Sequence, residues 1–195
     1  MTSNENYRIS LTTKALIPVN DPIYRTKVLD EAGEYMLSKT CRQLLEEACI
    51  RELSTFNGSI AAVRKMFPYK QLTPLVISRS QAIIAFPTSS PNDYSCAWIF
   101  SSHVHTSHTL ASVSSNSTVI YFKDDTFITV KLSYYSLEKK LARAAVIRNY
   151  CLESELFFLN LFVLSNALVY IRSIFWSRCV ERKLKQASSI LFFYS

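Results

Sequence analysis

The stretch Gln81–Val104, QAIIAFPTSSPNDYSCAWIFSSHV, decides the fold class because it holds two apolar runs separated by a polar loop. The first run, Ala82–Phe86, is too short for a typical helix and is rich in Ile and Phe, which favours a buried strand. Pro87 ends this run, and the polar cluster Thr88–Asp93 is typical of a loop. The second run, Cys96–Phe100, is again strand-like. The stretch therefore predicts a hairpin-like core element that carries no catalytic group.

Other short runs of β-branched and aromatic residues predict more strands on both sides of this element. They are Tyr7–Leu11, Ala15–Val19, Ile23–Leu29, Leu110–Val113, Thr118–Phe122 and Phe127–Leu132. The last two form a hairpin whose turn contains Asp124 and Asp125. Adjacent residues on a tight turn point apart, so turn chemistry is favoured over a catalytic pair of carboxylates.

Three segments show the periodicity of amphipathic helices. Thr40 and Gln43 fit a capping box at the start of the first helix, which turns a stripe of Leu and Cys side chains towards the sheet. A break at Phe56–Gly58 separates it from a second helical pattern over Ser59–Phe67. The third helix is capped by Ser133 or Ser136 and ends near Cys151, and its inward face holds Leu137, Leu141, Ala144 and Cys151.

These patterns predict an α+β fold with a mainly antiparallel sheet, two or three packed helices and an apolar C-terminal helix. We divide the chain into a domain over residues 1–152 and a divergent tail over residues 153–195. Leu156–Ile171 contains no charged residue, but its 16 residues fall short of the roughly 20 that a membrane span requires. A buried or subunit-interface helix is therefore favoured over a membrane anchor.

The composition argues against several classes of protein. Two glycines in 195 residues are too few for a phosphate-binding loop or a dinucleotide-binding fingerprint. The five cysteines are odd in number and widely spaced, and no signal peptide is visible, so reduced thiols in a cytoplasmic protein are expected. His103 and His105 share one face of a strand, but no carboxylate lies near them in sequence. We therefore predict no enzyme, no cofactor and no metal site.

The basic residues are unevenly distributed along the chain. The formal net charge is +7, and residues 51–80 and 131–195 contribute +4 and +6, whereas residues 1–50 and 81–130 contribute −1 and −2. Cationic segments therefore flank the central β region. Such a distribution favours a polyanionic partner, because Lys and Arg displace the counterions condensed on phosphates.

Three motifs carry a family resemblance in the same order and at about the same spacing. The first is Phe56–Ser59 followed by Arg64 and Lys65, and the second is Phe86–Thr88 followed by Cys96–Ile99 and Ser102–Val104. The third is Ser133–Leu137. Over roughly residues 40–150 these motifs resemble the ComK-type competence transcription factors of Gram-positive bacteria.

The resemblance implies a cytoplasmic, nucleoid-associated activator of DNA-uptake genes, which binds paired A/T-rich boxes of double-stranded DNA through the minor groove as a homodimer or higher oligomer. Charge and position then select the candidate contacts. Arg64, Lys65 and Arg79 are the groove candidates, and Lys70 lies in the basic connection between them. The third helix supplies the phosphate candidates, which are Lys139, Lys140, Arg143 and Arg148.

The tail departs from the family. The resemblance implies a C-terminal region that pairs subunits and an aromatic-proline motif read by an adaptor of the proteolytic machinery. Leu191–Tyr194 is aromatic but lacks the proline, so the resemblance does not extend to this motif. The alternative function is a membrane-associated or protein-interaction module that acts through Leu156–Trp176.

Overall fold

The central apolar stretch forms two neighbouring antiparallel strands, Ile83–Pro87 and Trp98–Phe100, in the middle of a sheet. Phe86 lies opposite Ile99, and both side chains are fully buried. Pro87 ends the first strand, and a loop of turns connects it to the second. The predicted hairpin-like core element is therefore confirmed.

A computed structural model of the protein describes residues 2–3, 6–105, 110–114 and 117–153, with side chains for residues 6–105 and 117–153. The strands are β1 (Thr2–Ser3), β2 (Thr13–Pro18), β3 (Thr26–Asp30), β4 (Gly33–Leu37), β5 (Leu75–Ser78), β6 (Ile83–Pro87), β7 (Trp98–Phe100), β8 (Leu110–Ser114), β9 (Ser117–Tyr121) and β10 (Phe127–Val130). The helices are α1 (Cys41–Arg51), α2 (Phe56–Met66), a 3-10 turn at Ser101–His103, and α3, which the structure describes over residues 134–153.

Within the described residues the strands form two sheets. The larger has the order β1-β4-β3-β2-β7-β6-β5, and the smaller has the order β10-β9-β8. All neighbouring strands pair antiparallel except the two-residue β1, which runs parallel to β4. This arrangement confirms the predicted α+β class with a mainly antiparallel sheet. The predicted apolar C-terminal helix lies outside the described residues, and the division at residue 152 remains a prediction.

Two hydrophobic clusters cover the two faces of the larger sheet, because successive side chains of a strand point to opposite faces. In β7, Trp98 and Phe100 belong to one cluster and Ile99 belongs to the other. The first cluster is completed by apolar side chains of α1 and the start of α2. The second is completed by the smaller sheet and by the inward face of α3. The larger sheet is therefore the middle layer of residues 1–152.

The first helix follows its sequence pattern. Thr40 accepts a hydrogen bond from the Gln43 amide while the Gln43 side chain accepts one from the Thr40 amide, so the capping box is confirmed. Four of the five cysteines, those at positions 41, 49, 96 and 151, are free and buried, as predicted for reduced thiols. Burial raises the pKa of the Cys41 thiol to about 11, which keeps it protonated and unreactive.

The break between the first two helices lies earlier than predicted. α1 ends at Arg51, and Leu53 has a positive φ of 57° and is almost fully exposed. α2 already begins at Phe56 under an N-cap from Thr55, so Gly58 lies inside the helix. A Cβ at this position would approach Thr55 Oγ1 to 2.8 Å, so the glycine makes room for the cap. The predicted break at Phe56–Gly58 is therefore wrong.

The N-terminal strands also differ from the sequence prediction. Residues 7–11 are not a strand, because Tyr7 turns inward and its hydroxyl bonds Asp30 and Thr13 at 2.6 Å each. Strand β4 was not predicted from the sequence, although it pairs with β3 along all five of its residues. The hairpin of β9 and β10 is confirmed, with Asp125 at the left-handed turn position, φ 63°.

Candidate nucleic-acid interface

The inward face of α3 fixes which of its basic residues reach solvent. Its buried positions are 137, 140, 144, 147 and 151, which alternate three and four residues apart and pack on the second cluster. Lys139 is exposed, and Arg143 and Arg148 are half-buried at the sides of the helix. These three residues keep the outward placement that the sequence predicted.

The predicted outward placement of Lys140 is wrong. It occupies the inward face with an exposed fraction of 2%, and its ammonium donates to the carbonyls of Pro87 and Thr88. Loss of hydration on burial lowers the pKa of this ammonium to about 8. Lys140 is therefore an internal tie between α3 and the end of β6, and it is removed from the phosphate candidates.

The basic residues of α2 and its following loop lie at the C-terminal end of that helix. Arg64 and Lys65 are exposed in the last turn, where cations complement the helix dipole. Arg64 Nε donates to Thr73 Oγ1 at 3.1 Å, and that hydroxyl donates in turn to the Tyr69 carbonyl at 3.2 Å. Lys70 is exposed on the same loop. The loop is thus ordered by the guanidinium of one of the groove candidates.

Long-range contacts bring α3 against this loop. Arg143 Nη1 donates to the Gln71 carbonyl at 2.9 Å, and its Cζ lies 4.9 Å from the centre of the Tyr69 ring. Arg79, in the turn between β5 and β6, places its Cζ 5.6 Å from the centre of the Tyr150 ring. Basic residues that are more than 60 positions apart in the chain therefore share one neighbourhood.

We define the basic surface as the seven exposed or half-buried candidates. They are Arg64, Lys65, Lys70, Arg79, Lys139, Arg143 and Arg148. Among residues 6–105 and 117–153, ion pairs join Lys14 to Asp124, Lys27 to Glu34 and Lys39 to Glu47, and none involves the basic surface. Its positive charge is therefore not neutralised by the described carboxylates.

Aromatic side chains are the feature of this neighbourhood that the sequence prediction missed. Phe67 and Tyr69 stack on each other, and Phe67 meets Tyr150 edge to face. The available signal was the interleaving of aromatic and basic residues in Phe67–Lys70 and in Arg148–Tyr150.

A groove of about 250 Å³ lies between α2, β5 and α3, and it is lined mainly by apolar side chains, among them Phe67 and Tyr150.

The comparison with known families gives a match over most of the chain. The model of the family described as ComK protein matches residues 4–154, which contain β2 to β10, the described helices and the whole basic surface. The chain belongs to the ComK protein family. A relative from Bacillus subtilis (strain 168), named Competence transcription factor, is 25% identical over 145 residues, which is 74% of each chain. No solved structure matches.

Membership of the ComK family confirms the predicted resemblance and, with it, the coarse class of transcriptional regulator of competence. A transcription factor family implies a protein that is not an enzyme. Within the described residues of this chain, no group of three or more His, Cys, Asp and Glu side chains is placed to hold a metal ion. His103 instead contacts Glu31 at 3.4 Å and the Leu11 carbonyl at 2.7 Å.

The alternative function rests on a segment that the structure does not describe. Leu156–Trp176 lies beyond residue 153, so the predicted apolar helix and the membrane or protein-binding role attached to it stay predictions. Of the helices in the described part of this chain, none has the length and apolar character needed to cross a membrane.

Proposed function

We propose that this ComK-family chain binds double-stranded DNA through its basic surface and so activates the transcription of competence genes. In this proposal the partner is A/T-rich promoter DNA, contacted in the minor groove and along the flanking phosphates. The site of action is the cytoplasm, at the nucleoid, as the family's role in transcription suggests.

The observation that carries the proposal is the contrast between two sets of cations. Lys14, Lys27 and Lys39 each have a carboxylate partner within 3 Å, whereas no residue of the basic surface has one among the described side chains. A cation that already pairs with a carboxylate of the protein gains little binding free energy from a phosphate. Seven cations without one release condensed counterions when they meet DNA, which is the main source of non-specific affinity.

The geometry of the arginines favours a role in the groove. A/T-rich minor grooves are narrow and carry enhanced negative potential, which attracts inserted Arg side chains. Arg64 and Arg79 are exposed groove candidates whose guanidinium groups contact Thr73 and the Tyr150 ring, and Lys65 lies beside Arg64. Lys139 and Arg148 are assigned to phosphates, because Lys139 is exposed on α3 and Arg148 is half-buried at its side.

A mobility-shift titration tests the proposal directly. The purified chain is titrated into one A/T-rich and one G/C-rich duplex of equal length, each at several salt concentrations. We expect tighter binding to the A/T-rich duplex and a linear fall of log K with log salt, with a slope of about −0.9 for each phosphate contacted. No binding, or equal affinity for both duplexes, would overturn the proposal.

The proposal includes self-association on DNA. The family resemblance implies cooperating dimers on paired boxes, so a duplex with two A/T-rich boxes should bind with a steeper isotherm than a duplex with one. Sedimentation of the complex would give the number of chains per duplex. A single chain on a two-box duplex would contradict this part of the proposal and leave the DNA-binding part intact.

A further inference from the structure

Five side chains form a continuous ladder of ring and guanidinium contacts beside the basic surface. Arg79 lies over Tyr150 at 5.6 Å, Tyr150 meets Phe67 at 5.8 Å, Phe67 stacks on Tyr69 at 5.6 Å, and Tyr69 lies under Arg143 at 4.9 Å. The rings of Phe67 and Tyr69 are nearly parallel, at 8°, and those of Phe67 and Tyr150 are nearly perpendicular, at 88°. We call these five residues the aromatic ladder.

The ladder connects four separate parts of the chain. Arg79 follows β5, Phe67 caps the C-terminal end of α2, and Tyr69 lies in the next loop. Tyr150 and Arg143 lie seven residues apart on α3, so two helical turns separate them on one side of the helix. Two arginines at the ends of the ladder are thus fixed to one aromatic centre, which is Phe67.

These contacts restrict the guanidinium groups before any partner arrives. Free Arg side chains lose much rotamer entropy when they are immobilised by a ligand, and this loss lowers affinity. A cation over an aromatic ring, together with the bond from Arg143 to the Gln71 carbonyl, restricts those rotamers in the folded protein. Each of the two guanidinium groups therefore already has a contact in the folded protein that limits its rotamers.

We propose that Phe67, Tyr69 and Tyr150 are positioning residues that hold Arg79 and Arg143 as a fixed pair, and that this pair sets the preference for A/T-rich over G/C-rich duplex. The inference rests on the proposed function, since it assigns the source of specificity in the same surface. Cations can distinguish a narrow minor groove from a wide one only if they enter it at a defined depth and a defined distance from each other. Mobile cations contact the phosphates of every sequence equally.

The ladder should therefore control sequence preference without changing the number of phosphate contacts. Tyr150→Leu and Tyr69→Leu each remove one ring, and Phe67→Leu removes the centre. For Tyr150→Leu and Tyr69→Leu we expect the ratio of affinities for A/T-rich and G/C-rich duplexes to fall about two- to fivefold, the size of one exposed cation–π contact. Phe67→Leu, which removes the ring that both tyrosines contact, should lower the ratio in the same direction. The slope of log K against log salt should stay at the wild-type value, because all seven cations remain.

Two control variants distinguish a loss of arginine positioning from a general disturbance of the fold. Tyr150→Phe keeps the ring under Arg79 and should retain the wild-type ratio. Phe127→Leu breaks the aromatic pair of Tyr121 and Phe127, which lies on the smaller sheet with ring centres 5.5 Å apart, and should also retain it. Circular dichroism melts confirm that each variant is folded. If Phe67→Leu unfolds, the variants at Tyr69 and at the partly exposed Tyr150 decide the question.

The outcomes distinguish this inference from the proposed function. A wild-type chain that binds A/T-rich duplex preferentially, with folded Tyr69→Leu and Tyr150→Leu variants that keep the full preference, overturns the positioning role alone. A fall in preference that Phe127→Leu reproduces also overturns it. A wild-type chain without any A/T preference overturns the proposed function and this inference together.

Discussion

Lys139 and Lys140 are neighbours on α3 with opposite surroundings, so they provide a matched pair of single-residue variants. Lys139 is exposed and belongs to the basic surface, whereas Lys140 is buried against the end of β6. Lys139→Ala should reduce the salt slope of DNA binding by about 0.9 because one phosphate contact is lost. Lys140→Met should leave the slope unchanged. Titrations at four salt concentrations measure both, and a smaller slope for Lys140→Met would contradict the burial argument.

The buried Lys140 ammonium also predicts a pH dependence of stability. Burial lowers its pKa from 10.5 to about 8, so between these values the unfolded chain binds a proton that the folded chain has released. The stability of the wild type relative to Lys140→Met should therefore rise between pH 8 and pH 10.5, by about 1–3 kcal/mol, and stay constant below pH 8. Urea unfolding at a series of pH values measures this difference. If the difference in free energy of unfolding between the two proteins does not change from pH 8 to pH 10.5, the Lys140 ammonium is hydrated in the folded protein.

At the scale of elements, one ion pair ties the turn between β9 and β10 to strand β2. The buried Lys14 ammonium contacts Asp124 at 2.5 Å and Thr126 at 3.1 Å. Partial burial of Asp124 acts to raise its pKa, but the hydrogen bonds from Lys14 and Thr126 outweigh it and lower the pKa to about 2. The stabilisation from this pair is therefore present above pH 3.8 and is lost as the pH falls towards 2.

We expect Asp124→Asn to lower the free energy of unfolding by about 1–3 kcal/mol, because it leaves the Lys14 ammonium buried without a carboxylate. The adjacent Asp125→Asn is the control. Asp125 sits at φ 63°, a conformation that Asn tolerates well, so its effect should stay within about 0.5 kcal/mol. Chemical denaturation at pH 7 compares the two variants, and equal losses would mean that turn geometry, not the ion pair, joins the two sheets.

The same scale shows what the sequence could predict about the elements. Local signals were sufficient for the central strands, for the Thr40 cap and for the hairpin of β9 and β10, because each depends on residues close together in the chain. The predicted inward face of α3 omitted two buried positions, Lys140 and Ile147. Lys140 lies three residues after Leu137 and four before Ala144, so helical spacing placed it inward, but its charge suggested an outward position. Backbone carbonyls at the end of β6 accept that charge, and a local pattern does not reveal them.

At the scale of the whole molecule, the basic surface depends on contacts between distant parts of the chain. The uneven charge of residues 51–80 and 131–195 was visible in the sequence and supplied all seven members of the surface. The juxtaposition of the two segments was not visible. Arg143 and Gln71 are 72 positions apart, and the pairing depends on how α3 packs on the second cluster. Periodicity identifies the buried face of a helix but does not identify the loop that lies beside it.

The division at residue 152 leads to the last prediction. Both hydrophobic clusters of the described chain end by Cys151, and the basic surface ends at Arg148, so residues 1–152 contain all that the proposed DNA contact requires. A chain stopped after Leu152 should fold and bind a one-box duplex with the full-length salt slope. It should bind a two-box duplex less cooperatively, because the family resemblance assigns subunit pairing to the C-terminal region.

Titrations of both chains on one-box and two-box duplexes, with circular dichroism of each, measure these expectations. A shallower salt slope for the shortened chain would mean that the basic residues after Arg172 also contact phosphates. If the shortened chain does not fold, the domain boundary lies after residue 152, within the tail. Membrane fractionation of the same two chains tests the alternative function. Only that alternative predicts the full-length chain in the membrane fraction and the shortened chain outside it.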